Sequence, residues 1–360
     1  ATTVTTLTGS AANVNTAYES MGISNLADEA VTLTDTSLAA ATLNTLDGNT
    51  TGTIDAATLT TLTGSAANAN TAYASGGVTN LGDVTVILTD TTLTVATLNT
   101  LIGYSTGLVD ATTVTTLTGS TTDVNTAFTS FAEGKINSLG NEAVTLTDTA
   151  VFAETVVAID SATSGAINAT NVMALTGSAS NANSALTSAG LTNFDGDEAV
   201  TLTDTSLAAA TLNTLDGNTT GAVDAATVTT ITGTAVAIVT VAQSTSITTA
   251  ANYAATVDSD TANVAQALIL DADTIGVVTA TITESDLATL LALTDANTNN
   301  ALTIIVTDPS ADAADLNSVA TVTRIAIDAT AVRTITGTAA AIVIAAQSDG
   351  ITTAANYAAT

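Results

Sequence analysis

The stretch DEAVTLTDTSLAAATLNTLDGNTTG at residues 28–52 recurs without a change at 197–221. Around it, ATTVTTLTGS at 1–10 returns at 111–120, and ITTAANYAAT at 247–256 returns at 351–360. A fixed period replaces the question of one domain with that of a stack of equal units. The frame rests on two recurring strand-like ends. The first, of AVTLTD type, closes at Asp35, Asp90, Asp148, Asp204, Asp258 and Asp308; the second, of GTIDA type, has Asp55, Asp110, Asn168, Asp224, Thr279 and Asp328 at its matching position. Counted along the chain, the gaps from first to second are 20, 20, 20, 20, 21 and 20, and those from second to the next first are 35, 38, 36, 34 and 29. The constant segment is expected on the packed side, where layers must superpose. The variable one, longest at FAEGKINSLGNE (131–142), is expected to bulge outward.

Within one unit, Ala30-Val31-Thr32-Leu33-Thr34 alternates apolar residues with Thr, the period of a strand with one buried face. Thr36 and Ser37 stand before Leu38–Leu46, which reads as a short helix with Ala39, Leu43 and Leu46 on one face and Asp47-Gly48 as its stop. Thr53-Ile54 opens a second strand. Ala57–Gly64 reads as a further short helix or, given its Thr content, as a strand. SAANANTAYAS (65–75) reads as a helix capped by Ser65 and ended by Gly76-Gly77, with Ala66, Ala69, Ala72 and Tyr73 inward; Val78–Leu81 is a candidate third strand. This grammar gives an α/β repeat solenoid with parallel strands on one wall and short helices on the other. The alternative is an all-β solenoid. Residues 1–224 form a regular array of about 55-residue repeats, and 225–360 continue the same solenoid in divergent form, with Pro309 the only proline.

Composition fits thin, equal layers better than one large core: five Tyr, four Phe, no Trp and no Cys in 360 residues. The 33 Asp and Glu against Lys135, Arg324 and Arg333 give a formal net charge of -30, which argues against nucleic acid and anionic membranes as partners. An acidic, Thr-rich surface keeps a chain soluble in salty water, and one acidic partner for each Arg is the plain expectation. No apolar run is long enough for a membrane span, and no basic-then-apolar leader opens the numbered chain. Without His or Cys, the usual general base, the thiol nucleophile and most transition-metal ligands are missing. A paired-carboxylate glycosidase needs aromatics that are nearly lacking. No enzyme and no cofactor is therefore expected.

Stacked carboxylates raise the question of calcium, since hard oxygens bind it. Capping explains the ladder more simply: an Asp before Thr-Ser or Ala-Ala is an N-cap first, and Asn168 or Thr279 preserves that role with less charge. The ladder Asp35, Asp55, Asp90, Asp110, Asp148, Asn168, Asp204, Asp224, Asp258, Asp308 and Asp328 is accordingly read as strand ends and helix caps. Asp195-Gly196-Asp197-Glu198 is the remaining ion candidate and reads as a solvated turn.

The wording VTLTDTSLAAATLNTLDGNTTGTIDAATLTTLTGSAANANTAYAS resembles the very large Thr-, Ala-, Asn- and Asp-rich repeat proteins of marine unicellular cyanobacteria and other aquatic bacteria, closely over 1–224 and loosely beyond. Phage tail-fibre repeats are a rival likeness. The resemblance implies export and a place in a surface layer, fibre or filament, and it transfers no functional residue. The alternative is an adhesin whose variable edge meets a glycan or a partner cell, for which Tyr18, Tyr73, Phe128 and Phe131 are the candidate aromatics, the two Tyr being expected inward. Self-association is expected, in cis or head to tail, because neither end carries a polar cap.

Overall fold

The computed structural model describes residues 4–360. It comprises two compact units: one runs to Val172 and takes in Ser188–Asp195, the other consists of Met173–Thr187 and Gly196–Thr360. Both are repeat solenoids of α/β type, built from short helices and wholly parallel strands of two to four residues. The helices exclude the all-β alternative.

In the first unit the helices Ala11–Glu19, Ala40–Asn49, Ala66–Ala74, Val95–Tyr104, Thr121–Ala132 and Ala153–Ala162 each pack on the next in chain order. Each buries one narrow stripe, mostly at a three-residue step. The third buries Ala66, Ala69 and Ala72, whereas its neighbours on either side bury Leu43 and Leu46 or Leu98 and Leu101. Small meets large at those contacts, so the layers interdigitate without a central core. A fully buried Leu contributes roughly 1.5–3 kcal/mol, and the summed stripes rather than helix propensity hold these two- to three-turn helices.

The strands are thin but register-locked. In one sheet Leu38 pairs with Leu62, Leu62 with Val86, Val86 with Val109 and Val109 with Ile136, giving steps of 24, 24, 23 and 27 along the chain. All five side chains are buried, forming an apolar file one residue wide. A second file in the same unit joins Leu93, Leu117, Val144, Ile167 and Leu191. Successive helices, however, start at residues 11, 40, 66, 95 and 121, with steps of 29, 26, 29 and 26. Strands therefore advance less far along the chain per coil than helices do. As a result each sheet runs obliquely. It begins just before a helix at Ser37–Ala39 and crosses the linker at Thr85–Leu88. It ends just after a helix at Ile136–Asn137. The sequence repeat is thus two coils, and a new sheet starts once per repeat.

The second unit follows the same plan. Helices Ala179–Leu186, Ala209–Asn218, Ala235–Gln243 and Val264–Asp273 stack in order, and Leu175, Val200, Val223 and Ile247 form the matching file. Divergence appears after Val278, where the helix Leu287–Leu290 has four residues and precedes Ala313–Ala320 and Ala339–Gln347.

Several local expectations are corrected. Ser37–Ala39 is a strand, and its helix spans Ala40–Asn49 with Ala39 at the N-cap and no side-chain cap bond. Leu38 is drawn into the sheet file, so pairing overrides Thr36 and Ser37 as caps; Ala40, not Ala39, joins Leu43 and Leu46 in the core. Asp47-Gly48 lies inside that helix rather than stopping it. After Asp55 the chain makes a turn and then the strand Thr61–Gly64, the extended reading of that stretch. The helix Ala66–Ala74 has Ser65 as its N-cap, with Oγ accepting from the Asn68 N–H. The insertion at 131–142 does not form an outward loop. It lengthens the helix Thr121–Ala132 to 12 residues, closes it through Gly134 at φ 76, and accounts for the longest step in both files it crosses.

Candidate functional site: the seam between coils

The carboxylates of the first ladder act across coils. Asp35 Oδ2 accepts the Ala11 N–H at 2.8 Å, Asp90 the Ala66 N–H at 2.8 Å, and Asp204 the Ala179 N–H at 2.8 Å; Asp148 accepts the Thr121 N–H in the same way. Each donor is the first residue of the helix one coil earlier. That helix already carries a Ser N-cap, so two of its four orphan N–H groups meet side-chain oxygens, and the anion sits at the positive end of the helix dipole. The Asp does not cap the helix that follows it in sequence. A short extended segment intervenes, as Thr92–Thr94 does before Val95–Tyr104.

Where the sequence diverges the role moves to another residue. Asp258 does not reach a helix end; its carboxylate accepts the neighbouring Ser259 hydroxyl. Asp260 instead accepts the Ala235 N–H at 2.9 Å, Glu284 the Val264 N–H at 3.0 Å, and Asp308 the Leu287 N–H at 2.7 Å.

The second ladder caps no helix. Asp55, Asp110, Asn168, Asp224 and Asp328 each accept the N–H two positions on, at 2.9–3.2 Å, closing an Asx turn that leads into the next strand. Thr279 continues its strand, Val278–Thr281. At Asp328 the Thr330 hydroxyl, then the Thr330 N–H, hold the carboxyl below its ordinary value of 3.8. Asp55 and Asn168 also receive amide N–H bonds from Asn80 and Asn193, whose backbones sit at φ 65 and 56 in the left-handed region that Asn tolerates.

All six pairs of ladder strands lie side by side in one register: Thr32 with Asp55, Ile87 with Asp110, Thr145 with Asn168, Thr201 with Asp224, Thr256 with Thr279 and Ile305 with Asp328, always at the same offset in residue number. The one irregular gap, at Asp258, vanishes in this register. The sequence match had fixed on the Asp rather than on the strand.

Sequence reading did not single out the third element of the seam. Before five of the six second-type strands stands Thr or Ser, one residue, then Gly: Thr50/Gly52, Ser105/Gly107, Thr163/Gly165, Thr219/Gly221 and Thr274/Gly276, with Thr323 and Ile325 in the matching places before the sixth. The hydroxyl accepts the Gly N–H at 2.9–3.1 Å. In four of the five it also donates to a main-chain carbonyl of the preceding coil, for example Thr219 to Glu198 at 2.7 Å. A Cβ on Gly52 would lie 2.1 Å from the Glu29 carbonyl oxygen, so only Gly allows the coils this approach. The recurring TTG, STG, TSG and TIG triplets were the available signal. Behind them, Glu29, Glu142 and Glu198 are almost fully buried; Glu142 Oε2 accepts the Gly140 and Asn141 N–H groups. Glu198 thus lies inside the fold rather than in a solvated turn.

Asn side chains add rungs between helices: Asn44 donates to the Asn68 carbonyl and Asn99 to that of Asp123, both at 3.0 Å. Asp47 and Asp160 hold Ser75 and Ser188 of the next coil. Tyr18 and Tyr73 are half-buried. Tyr18 donates to Glu29, and Tyr73 stacks flat on the exposed Tyr104 with centroids 6.5 Å apart. Phe128 is buried and Phe131 half-buried. Lys135 pairs with Glu133 at 2.8 Å, whereas Arg324 and Arg333, each expected to meet one acid, form no ion pair among the described residues.

Among the described residues no three acidic side chains group as a metal site would require, and no helix is long and apolar enough to cross a membrane. A cleft of about 470 Å³ in the second unit is lined by Leu290, Leu293, Val319 and Val322, with Asp295 at its edge. That carboxylate accepts the Asn299 and Asn300 N–H groups and shapes its own loop. Recurring carboxylates, hydroxyls and amides thus tie coil to coil in both units, the arrangement of an α/β repeat solenoid. No family model, no curated protein and no solved structure matches the chain.

Proposed function

We propose that the chain is a structural element of an extracellular or cell-surface assembly, a segment of a surface layer, fibre or filament in which stacked coils supply length and an acidic, Thr-rich exterior. The reading rests foremost on where the polar side chains are spent. Three recurring sets of polar side chains, the first-ladder carboxylates, the Thr hydroxyls before the glycines and the helix Asn amides, join one coil to its neighbour, as in Asp90 with Ala66, Thr50 with Glu29 and Asn99 with Asp123. Nearest-neighbour stacking of this kind extends without limit and needs no cofactor or crosslink. The formal charge of -30 and the lack of Cys fit an exported chain working in salt, where self-repulsion is screened within roughly 8 Å or less.

Immunogold labelling of intact producing cells tests the reading. Label is expected on the outer surface or on shed filaments. Label found only after permeabilisation, on cytoplasmic protein, would sink it.

A further inference from the structure

The second unit interrupts its own stack once. Among the described residues every helix but one has 8–12 residues; the exception, Leu287–Leu290, has four. Where further turns of that helix would lie, residues 291–299 form turns and irregular chain. The flank of the next helix, Ala313–Ala320, is left with a cleft of about 470 Å³ beside it. That volume falls within the roughly 300–1,000 Å³ of small-molecule sites.

The loop beside the cleft is held open from behind. Buried Asp271 of the preceding coil accepts the Thr294 hydroxyl at 3.1 Å, the Ala296 N–H at 3.3 Å and the Asn300 amide at 2.8 Å. Asn299 donates to the Ile275 carbonyl at 3.0 Å. These bonds run back to residues 271–275, away from Ala313–Ala320. The loop also carries Thr298 at φ 58, and Thr298 lines the cleft. Asn25, Asn80, Ser138 and Asn193, the other described residues besides Gly at positive φ, are short and unbranched at Cβ. A β-branched residue there is a strained choice, of the kind that gathers at ligand sites and persists only where the surroundings impose it.

The lining is chemically one-sided. Leu290, Leu293 and Val319 are buried and form an apolar floor. Four hydroxyls line the walls, and each has committed its proton to the protein: Thr294 to Asp271, Thr298 to the Asn297 carbonyl, Ser318 to the Ala314 carbonyl and Thr321 to the Ser318 carbonyl. Toward a ligand these oxygens offer only lone pairs. Asp295 is the single charged side chain in the lining; Arg324 is not part of it. The formal charge of -30 raises the concentration of cations at the surface. A donor-rich cation with an apolar body matches this lining, whereas an anionic head would face a carboxylate and four hydroxyl lone pairs. We propose that the cleft is a binding site for a small primary amine in its ammonium form. The apolar body rests on the floor, and the ammonium donates to the Asp295 carboxylate and the hydroxyl oxygens. The site is independent of the surface role proposed for the chain.

The test titrates phenethylamine into the full chain, in salt that shortens electrostatic reach to roughly 3–8 Å, and follows side-chain methyl signals by NMR. Saturable shifts are expected at Leu290, Leu293, Val319 and Val322. The neutral isostere phenethyl alcohol should bind about tenfold more weakly, since its donor carries no charge. Asp295→Asn keeps an acceptor for the loop and should bring the amine down to the level of the alcohol while leaving the alcohol unchanged. Ser318→Trp, at an exposed helix position that pins no part of the loop, fills the cleft and should abolish binding of both. Should Asp295→Asn disturb the loop, the comparison of amine with alcohol in the wild-type chain and the Ser318→Trp result still decide. Absence of saturable shifts overturns the proposal, as does equal binding of amine and alcohol. Amine shifts that scatter along the acidic surface and survive Ser318→Trp overturn it too.

Discussion

Replacing Asp90 isolates the contact on which the seam depends. Its Oδ2 lies 2.8 Å from the Ala66 N–H in a partly buried setting, while its carbonyl, which accepts the Thr113 hydroxyl, survives any substitution. A hydrogen bond to a charged group contributes about 1.5–3 kcal/mol, and an anion at a helix N-terminus about 0.3–1 kcal/mol of that kind of stabilisation. Discounting for partial exposure, Asp90→Ala should lower stability by about 2 kcal/mol. Asp90→Asn keeps an acceptor and loses only the charge, so about 0.5–1 kcal/mol is expected. Urea unfolding followed by circular dichroism reads the total, and hydrogen exchange reads the place. Because each coil meets only its neighbours, lost protection should centre on Ala66–Ala74. If protection instead falls in Val95–Tyr104, the helix after Asp90 in sequence, the cross-coil assignment is refuted. Unchanged stability of Asp90→Ala would refute the energetic argument.

Two nearby glycines should respond oppositely. Gly48 lies within the helix Ala40–Asn49 with open space where a methyl would go, so Gly48→Ala should stabilise by about 1 kcal/mol; Gly52→Ala drives a Cβ to 2.1 Å from the Glu29 oxygen and should cost about 3 kcal/mol in the same urea assay. Asp328 should titrate below 3.8 in the folded chain by carbon-detected NMR, and Thr330→Val should raise its midpoint, since the Thr330 hydroxyl is the main cause of the depression. With the folded value below the unfolded one, whatever stability this carboxylate adds is present above pH 3.8 and is lost as pH falls through the folded midpoint. A midpoint at or above 3.8 in the wild-type chain would contradict the turn geometry.

The sequence made the repeat legible because identity at 28–52 and 197–221 needs no structural knowledge. It also made the α/β class legible, because Ser65 and the alanines of SAANANTAYAS mark a capped helix while AVTL alternates as a strand. The boundary at Ala40 was not legible. LAAATL has helical propensity throughout, and Leu38 is extended only because Leu62, a full coil further on, pairs with it. The same non-local cause hid the capping partners. Asp35 precedes a helix in sequence yet serves Ala11, and nothing within a local window distinguishes the two. The length of a single coil was masked as well, since two unlike coils make one sequence repeat.

The divergent half shows which feature of the repeat carries the physical constraint. Between residues 225 and 330 the ladder loses its spelling: Asp258 is one position out of step, Thr279 replaces an acid, and Tyr253 and Leu302 stand where Glu29, Glu142 and Glu198 stand elsewhere. The contacts remain. Asp260, Glu284 and Asp308 still meet the first N–H of a helix one coil back, Thr274 still ties Gly276 to the Tyr253 carbonyl, and the common register persists at Thr256 with Thr279. An orphan helix amide between packed coils costs free energy whichever residue faces it, so the requirement attaches to an oxygen at a point in space. A carboxylate from a neighbouring position, or a Glu with one more methylene, meets it equally well. The array therefore drifts in sequence while its seam stays fixed.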